Sequence, residues 1–197
     1  MKAITFCVAA ALILCSCNKT KEALVEKIAG SSSSEQSAVF TIRKGQHYAD
    51  QSSYRTIETS ELRFTAVFDS SAIYRTADPA NQDDINKLYG FSDNGTDHHS
   101  YSARFGWRWS NGALRLFGYV YNAGKVTSEE LAAVAIGSEI RCSIRVTDGS
   151  YLFTVNGNTR SLPRQSTTPS AKGYRLYPYF GGDETAPHDM KIIVREG

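Results

Sequence analysis

The 197-residue sequence predicts an all-β chain folded as two packed antiparallel sheets. Three observations carry this. From residue 38 onward, apolar and polar residues alternate with period two in many short segments, each with one apolar face. Turn signals recur about every ten residues along the same stretch. Two hairpins, at Asn111-Gly112 and Asp148-Gly149, sort their side chains cleanly once a two-residue loop fixes the register. A closed barrel is the alternative. The aromatic content and the long connections 70–86 and 163–173 favour a sandwich.

The chain opens with a secretory pattern. Lys2 precedes a short apolar run from Ala3 to Leu14, below the ~20 residues of a spanning helix. The run ends in Leu14-Cys15-Ser16-Cys17, which looks like a lipobox with Cys17 as the residue that takes the lipid. Residues 1–16 are therefore expected to be a signal peptide. Residues 17–37, with serines at 31–34, are expected to be a tether. Residues 38–197 are expected to form the sandwich. With Cys7 and Cys15 removed, Cys17 and Cys142 remain, so no disulfide is expected. Cys142 alternates with Ile140, Ile144 and Val146 and reads as a small buried hydrophobe. A net charge of +2 and the absence of a basic run, P-loop or dinucleotide glycine pattern argue against nucleic acid and nucleotides.

The strands follow in order. Ala38–Arg43 alternates weakly. Glu61–Asp69 sets Leu62, Phe64, Ala66 and Phe68 on one face, and Lys87–Phe91 is a short strand. In the hairpin Ser102–Tyr121, one face carries Ala103, Phe105, Trp107, Trp109, Leu114, Leu116 and Val120. The other carries Arg104 opposite Tyr119, Gly106 opposite Phe117, Arg108 opposite Arg115 and Ser102 opposite Tyr121. Ser128–Ala135 reads equally as a short helix or a strand. Glu139–Thr147 pairs with the strand that reaches Val155. Asn156-Gly157 then turns into Thr159–Leu162. Tyr174–Phe180 and Met190–Arg195 complete the set.

The segments FDSSAIY (68–74), INKLYGFSD (85–93), HHSYSARFGWRW (98–109) and LYPYFGGDETAPHDMKI (176–192) resemble a group of uncharacterised lipoproteins of Bacteroidota type. Tyr151–Gly157 resembles a late strand pair of concanavalin-A-like jelly rolls. These resemblances imply a jelly-roll sandwich in the cell envelope, on an outer-membrane lipoprotein of unspecified side, and no assigned activity. Alginate-lyase-like enzymes share that architecture, but their Gln-x-His and Tyr-x-Lys strand motifs are missing here.

The Arg–aromatic face is the candidate site. Arg104 and Arg108 lie ~13 Å apart on one side of a strand. Arg108 faces Arg115, and facing like charges destabilise a strand pair unless something screens them: an acidic neighbour, an aromatic ring or an anionic ligand. Arg104, Arg108, Arg115, Phe117, Tyr119, Tyr121, Tyr177 and Tyr179 are the expected ligand-binding residues, with guanidinium forks suited to uronate or sulfate and rings suited to sugars. A solvated outer face is the plainer reading. The expected function is binding of an acidic or sulfated polysaccharide. One alternative is a polysaccharide lyase using His99, Arg108 and Tyr119 for proton transfer and charge neutralisation. Another is a non-catalytic partner-binding component of a surface complex. A hydrolase is disfavoured because no strand presents a carboxylate pair. His98, His99 and His188 also read as ordinary loop residues. No cofactor is expected. The one metal the loops could suit is a structural calcium, at Asp83, Asp84, Asp93, Asp97, Asp183, Glu184 or Asp189, although a solvated acidic loop is the preferred reading.

Overall fold

The computed structural model describes residues 37–197. The expected signal peptide, the lipidation at Cys17 and nearly all of the expected tether lie outside these residues. Two six-stranded antiparallel sheets enclose one apolar core. Sheet I runs β1 (Ser37–Ile42), β12 (Met190–Glu196), β3 (Glu61–Phe68), β8 (Ile140–Thr147), β9 (Ser150–Val155), β10 (Asn158–Pro163). Sheet II runs β2 (Thr56–Thr59), β11 (Ala171–Leu176), β4 (Asn86–Ser92), β5 (Tyr101–Ser110), β6 (Ala113–Asn122), β7 (Lys125–Val134).

The turns fix the registers. Asn111 and Gly112 take φ of 52° and 70°, the positive pair a type I′ turn needs, and β5–β6 pairs from Ser110↔Ala113 to Tyr101↔Asn122 without a slip. Trp107 and Leu116 are thereby buried across from each other. β8–β9 pairs Cys142↔Val155, Ile144↔Phe153 and Val146↔Tyr151, and all six side chains are buried. Cys142 sits in this core, where burial pushes its thiol well above the ordinary value. Between the sheets, Phe105 packs edge-on against Phe64 and Phe153, and Trp107 packs against Phe68.

Three elements differ from, or go beyond, the sequence reading. The ambiguous 128–135 segment is strand as far as Val134, the later part of β7, held on the edge of sheet II by pairing with β6. β11 ends at Leu176 instead of running to Phe180. Pro178 cannot donate to a ladder, and beyond it Tyr179 makes only isolated bridges, to Tyr48 and Lys87. β2 had no alternating signal and forms by pairing with β11. The long 70–86 connection holds two short 3-10 turns, Ser70–Ala72 and Pro79–Asp83, capped by the Asp69 and Asp78 carboxylates.

β4 carries the irregularity that shapes the outer face of sheet II. Its register against β5 shifts between Lys87 and Gly90, a bulge that presents Lys87 opposite Gly106 and Gly90 opposite Arg104. A Cβ on Gly90 would lie 2.2 Å from the Ala103 carbonyl oxygen and 2.5 Å from the Arg104 Cβ. Gly90→Ala is therefore expected to destabilise the fold by roughly 1–3 kcal/mol, since the obstructing atoms belong largely to backbone. An unchanged urea midpoint for this variant would contradict the close approach.

Candidate functional site

On the face of sheet II turned away from the core lies a groove of about 410 Å³. β5 supplies Arg104, β6 supplies Tyr119 and Tyr121, and the bulged β4 supplies Lys87. The turn before β5 adds His98 and His99, while Tyr48 and Tyr179 form a further wall. None of the residues lining it is an Asp or Glu.

Arg104 is the floor of the groove. The residue is 7% exposed and its Nε has no hydrogen-bond acceptor. Its guanidinium lies 5.5 Å from the Tyr119 ring centroid and 6.0 Å from that of Tyr121. Lys87 Nζ lies 4.5 Å from the same Tyr119 ring and donates to the Ile85 carbonyl. Two cations thus share one aromatic ring, and among the described residues neither has an ion pair. Burial, and secondarily the charge of Arg104, lowers the Lys87 pKa to about 8 against a smaller opposing pull from Asp84. Burial also holds Arg104 below its ordinary value, although a guanidinium remains charged.

Tyr119 and His98, beside these cations, are neutral near pH 7. Burial first, then Tyr121, raises the Tyr119 pKa to about 12. Burial, then Arg104 and His99, lowers the His98 pKa to about 4. His98 is held by Tyr174, whose hydroxyl is 3.1 Å from its backbone N–H and 2.8 Å from Nδ1. The His99 ring lies 4.2 Å from that of His98, inclined by 40°, and meets Tyr121 edge-on at 5.5 Å. Of the Lys and Arg residues lining the groove, Arg175 is paired with Glu196, which leaves Arg104 and Lys87 as the cations without an ion pair among the described residues.

Lys87 gives the groove a pH dependence of definite sign. An anion favours the protonated amine, so affinity for an acidic ligand is expected to be full below pH about 8 and to weaken as pH rises through it. Binding near pH 8 should be accompanied by proton uptake. Titration calorimetry at pH 7, 8 and 9 checks this, and a Lys87→Met variant should flatten the profile. An equally steep profile in that variant would assign the dependence to another group.

The sequence-nominated residues divide into two sets. Arg104, Tyr119, Tyr121, Tyr177, Tyr179 and His99 line the groove. Tyr177 does so from its edge, since its ring packs on Phe40 and Tyr89. Arg108, Arg115 and Phe117 do not line it. The Arg108 guanidinium donates to the Asp83 carbonyl at 2.6 Å, lies 3.6 Å from the Asp83 carboxylate and rests 4.8 Å from the buried Phe117 ring. Arg115 pairs with Glu130 at 2.7 Å. The facing arginines are thus screened by an acidic neighbour each and by an aromatic ring, with no ligand required. Ile85 packs over Gly106, between this covered row and the groove. His99 and Tyr119 are accordingly not joined by Arg108. Lys87, His98 and Tyr48 are groove residues that the sequence reading did not nominate.

Five of the seven acidic loop residues are engaged within the protein, Asp83 by the Arg108 pair already described. Glu184 accepts from the Ala77 and Asp78 N–H groups and from Asn81, Asp97 caps the His99 and Ser100 N–H groups, and Asp189 accepts from Lys44 N–H and Arg43. Asp93 is buried against Arg164. Among the described residues, no three His, Cys, Asp or Glu side chains converge on a point that could hold a metal. His188 bonds the Ser71 carbonyl.

No protein-family model matches the sequence, and no curated protein matches it. Solved structures do match the fold. An alginate lyase from Chlorella virus is 10% identical, with 82% of this chain and 83% of that one covered and a TM-score of 0.53. A non-specific endo-β-1,3(4)-glucanase of family GH16 is 12% identical over 81% and 71%, with a TM-score of 0.53. A family 7 alginate lyase in complex with product is 12% identical over 83% and 78%, with a TM-score of 0.52. At such identities the likeness establishes architecture alone, and that architecture is a concanavalin-A-like jelly-roll β-sandwich.

Proposed function

We propose that this domain binds an acidic polysaccharide, uronate-rich or sulfated, in the groove over Arg104. One observation carries the reading: a nearly fully buried guanidinium with an unpartnered Nε shares the Tyr119 ring with a lysine, and none of the groove's lining residues is a carboxylate. A buried cation without a counter-charge is costly to the free protein, and an incoming carboxylate or sulfate supplies both the charge and the acceptor. Tyr119, Tyr121 and Tyr179 offer ring faces and edges for the apolar sides of pyranoses. Carbohydrate-active neighbours of the same architecture support a glycan as ligand. In this reading a lipid on Cys17 holds the groove at a membrane of the cell envelope, which metabolic labelling of wild type and Cys17→Ser checks.

The test is calorimetry of the full chain against alginate, chondroitin sulfate and the neutral glucan laminarin. Binding of an acidic polymer, its loss in Arg104→Met and no binding of laminarin are expected. Equal binding of laminarin would overturn the charge-based reading. Absorbance of unsaturated uronate in the same mixtures, if it appeared and vanished with Arg104→Met, would move the assignment from binding module to lyase.

A further inference from the structure

The same face of sheet II holds a second cavity, of about 580 Å³, where β11 pairs with β2. The register Lys172↔Glu58 and Tyr174↔Thr56 puts these four side chains on one side of the sheet, and the turn bearing Thr96 closes the rim. Its outstanding feature is Tyr54, 78% exposed, with its ring 5.5 Å from that of Tyr174 and inclined by 33°.

The groove repeats this pattern. Tyr48, 70% exposed, meets Tyr179 edge-on at 5.0 Å. Tyr48 and Tyr54 are the two most exposed large apolar side chains among the described residues. They come from one segment along the β11 edge, and each rests on a tyrosine from Tyr174–Tyr179, one beside each cavity. Scattered exposed aromatics need no explanation, but two matched pairs facing adjoining cavities are not scattered. The wall between the cavities is also shared. The Tyr174 hydroxyl holds His98, which lines the groove, while the Tyr174 ring carries Tyr54. Five residues of extended chain separate the platforms by roughly 16 Å, farther than one sugar ring can bridge.

We propose that the Tyr54–Tyr174 cavity is a further subsite for the glycan held by the groove, engaged only by chains long enough to cross the His98–Tyr174 wall. This rests on the groove reading and adds to it. Charge is held at the Arg104 end. At the Tyr54 end, where Lys172 faces Glu58 and the Asp97 carboxylate also lines the cavity, the contact is ring stacking. The ligand is accordingly an oligosaccharide or polymer rather than a single acidic sugar.

Size-graded oligomers of mannuronate and of chondroitin sulfate, titrated into the full chain, test this. Affinity should rise with length in two stages. Tyr54→Ala should remove the second, a loss of roughly three- to tenfold for long oligomers, and leave the shortest binding oligomer unchanged. Tyr54→Trp should retain the gain. With Tyr54 so exposed, its alanine variant should melt like wild type. A loss equal at all lengths, or no loss at any length, would overturn the subsite. Failure of wild type to bind any oligomer would instead remove the groove reading, and this extension with it.

Discussion

Arg104→Met is expected to weaken binding of an acidic glycan by about thirtyfold or more and, in the same protein, to raise resistance to urea. The two effects have one cause. In the free protein the guanidinium is almost wholly out of water, and its Nε has nothing to bond. The cation–π contacts with Tyr119 and Tyr121, at 5.5 and 6.0 Å, return only part of the desolvation cost, about 0.5–2 kcal/mol. Methionine fills a similar volume without that cost, and replacing buried charge by apolar side chains commonly stabilises by about 1–4 kcal/mol. Allowing for the lost ring contacts, a gain of roughly 1–2 kcal/mol is expected. On the ligand side, removing one member of a desolvated charge pair costs about 2–5 kcal/mol of affinity, which sets the thirtyfold floor. Urea unfolding and calorimetry of one preparation measure both. Destabilisation by more than about 1 kcal/mol would make Arg104 a structural cation and remove the observation on which the function rests.

That coupling explains why the sequence located the site only in part. Local rules determine the β5–β6 hairpin: Asn111-Gly112 fixes the turn, period-two alternation fixes the faces, and Arg104, Tyr119 and Tyr121 fall together on the outer one. Arg108, Arg115 and Phe117 lie on that face by the same rule, and the hairpin alone gives no means to separate them from Arg104. The separation is non-local. The 79–85 stretch folds back over their row, bringing Asp83 to Arg108 and Ile85 to Gly106, and that stretch has no alternation from which its path could be read. Lys87 was hidden for a different reason. The bulge between Lys87 and Gly90 breaks strict alternation, so the side of the sheet it faces cannot be counted from its neighbours. Tyr48 reaches the groove through a single bridge to Tyr179, a contact 131 residues away in sequence that no periodicity announces. The Asp148-Gly149 hairpin was legible throughout because one face of it is wholly core.

The largest loss of stability is expected at Asp93, a residue the sequence grouped with exposed loop carboxylates. Its side chain is fully buried. Oδ2 accepts from Tyr151 at 2.6 Å and Arg164 Nε at 2.8 Å, while Oδ1 accepts from the N–H groups of Asn94 and Lys172 at 2.6 and 3.1 Å. Arg164 continues to Ser166, Thr168 and the Ser170 carbonyl. One carboxylate therefore fastens three pieces of chain: Tyr151 of sheet I, the 164–170 connection with the start of β11, and the turn that carries His98 and His99 into the groove. Asp93→Ala leaves Arg164 buried without its counter-charge, and a loss of about 3–5 kcal/mol is expected from urea unfolding. Adding Arg164→Met should recover part of it, because the two residues share one network. Burial alone would raise the Asp93 pKa, but the hydrogen bonds from Arg164, Tyr151 and the two N–H groups outweigh it and hold the carboxyl below its ordinary 3.8. Its stabilising contribution is thus complete above pH 3.8 and disappears as pH falls through the lower native value, so Asp93→Asn should be less acid-sensitive than wild type while weaker at pH 7. Glycan affinity should fall as well in Asp93→Ala, through the displaced His98 turn, with Arg104 still in place. A cost below about 1 kcal/mol would show that the turn is held by its backbone alone.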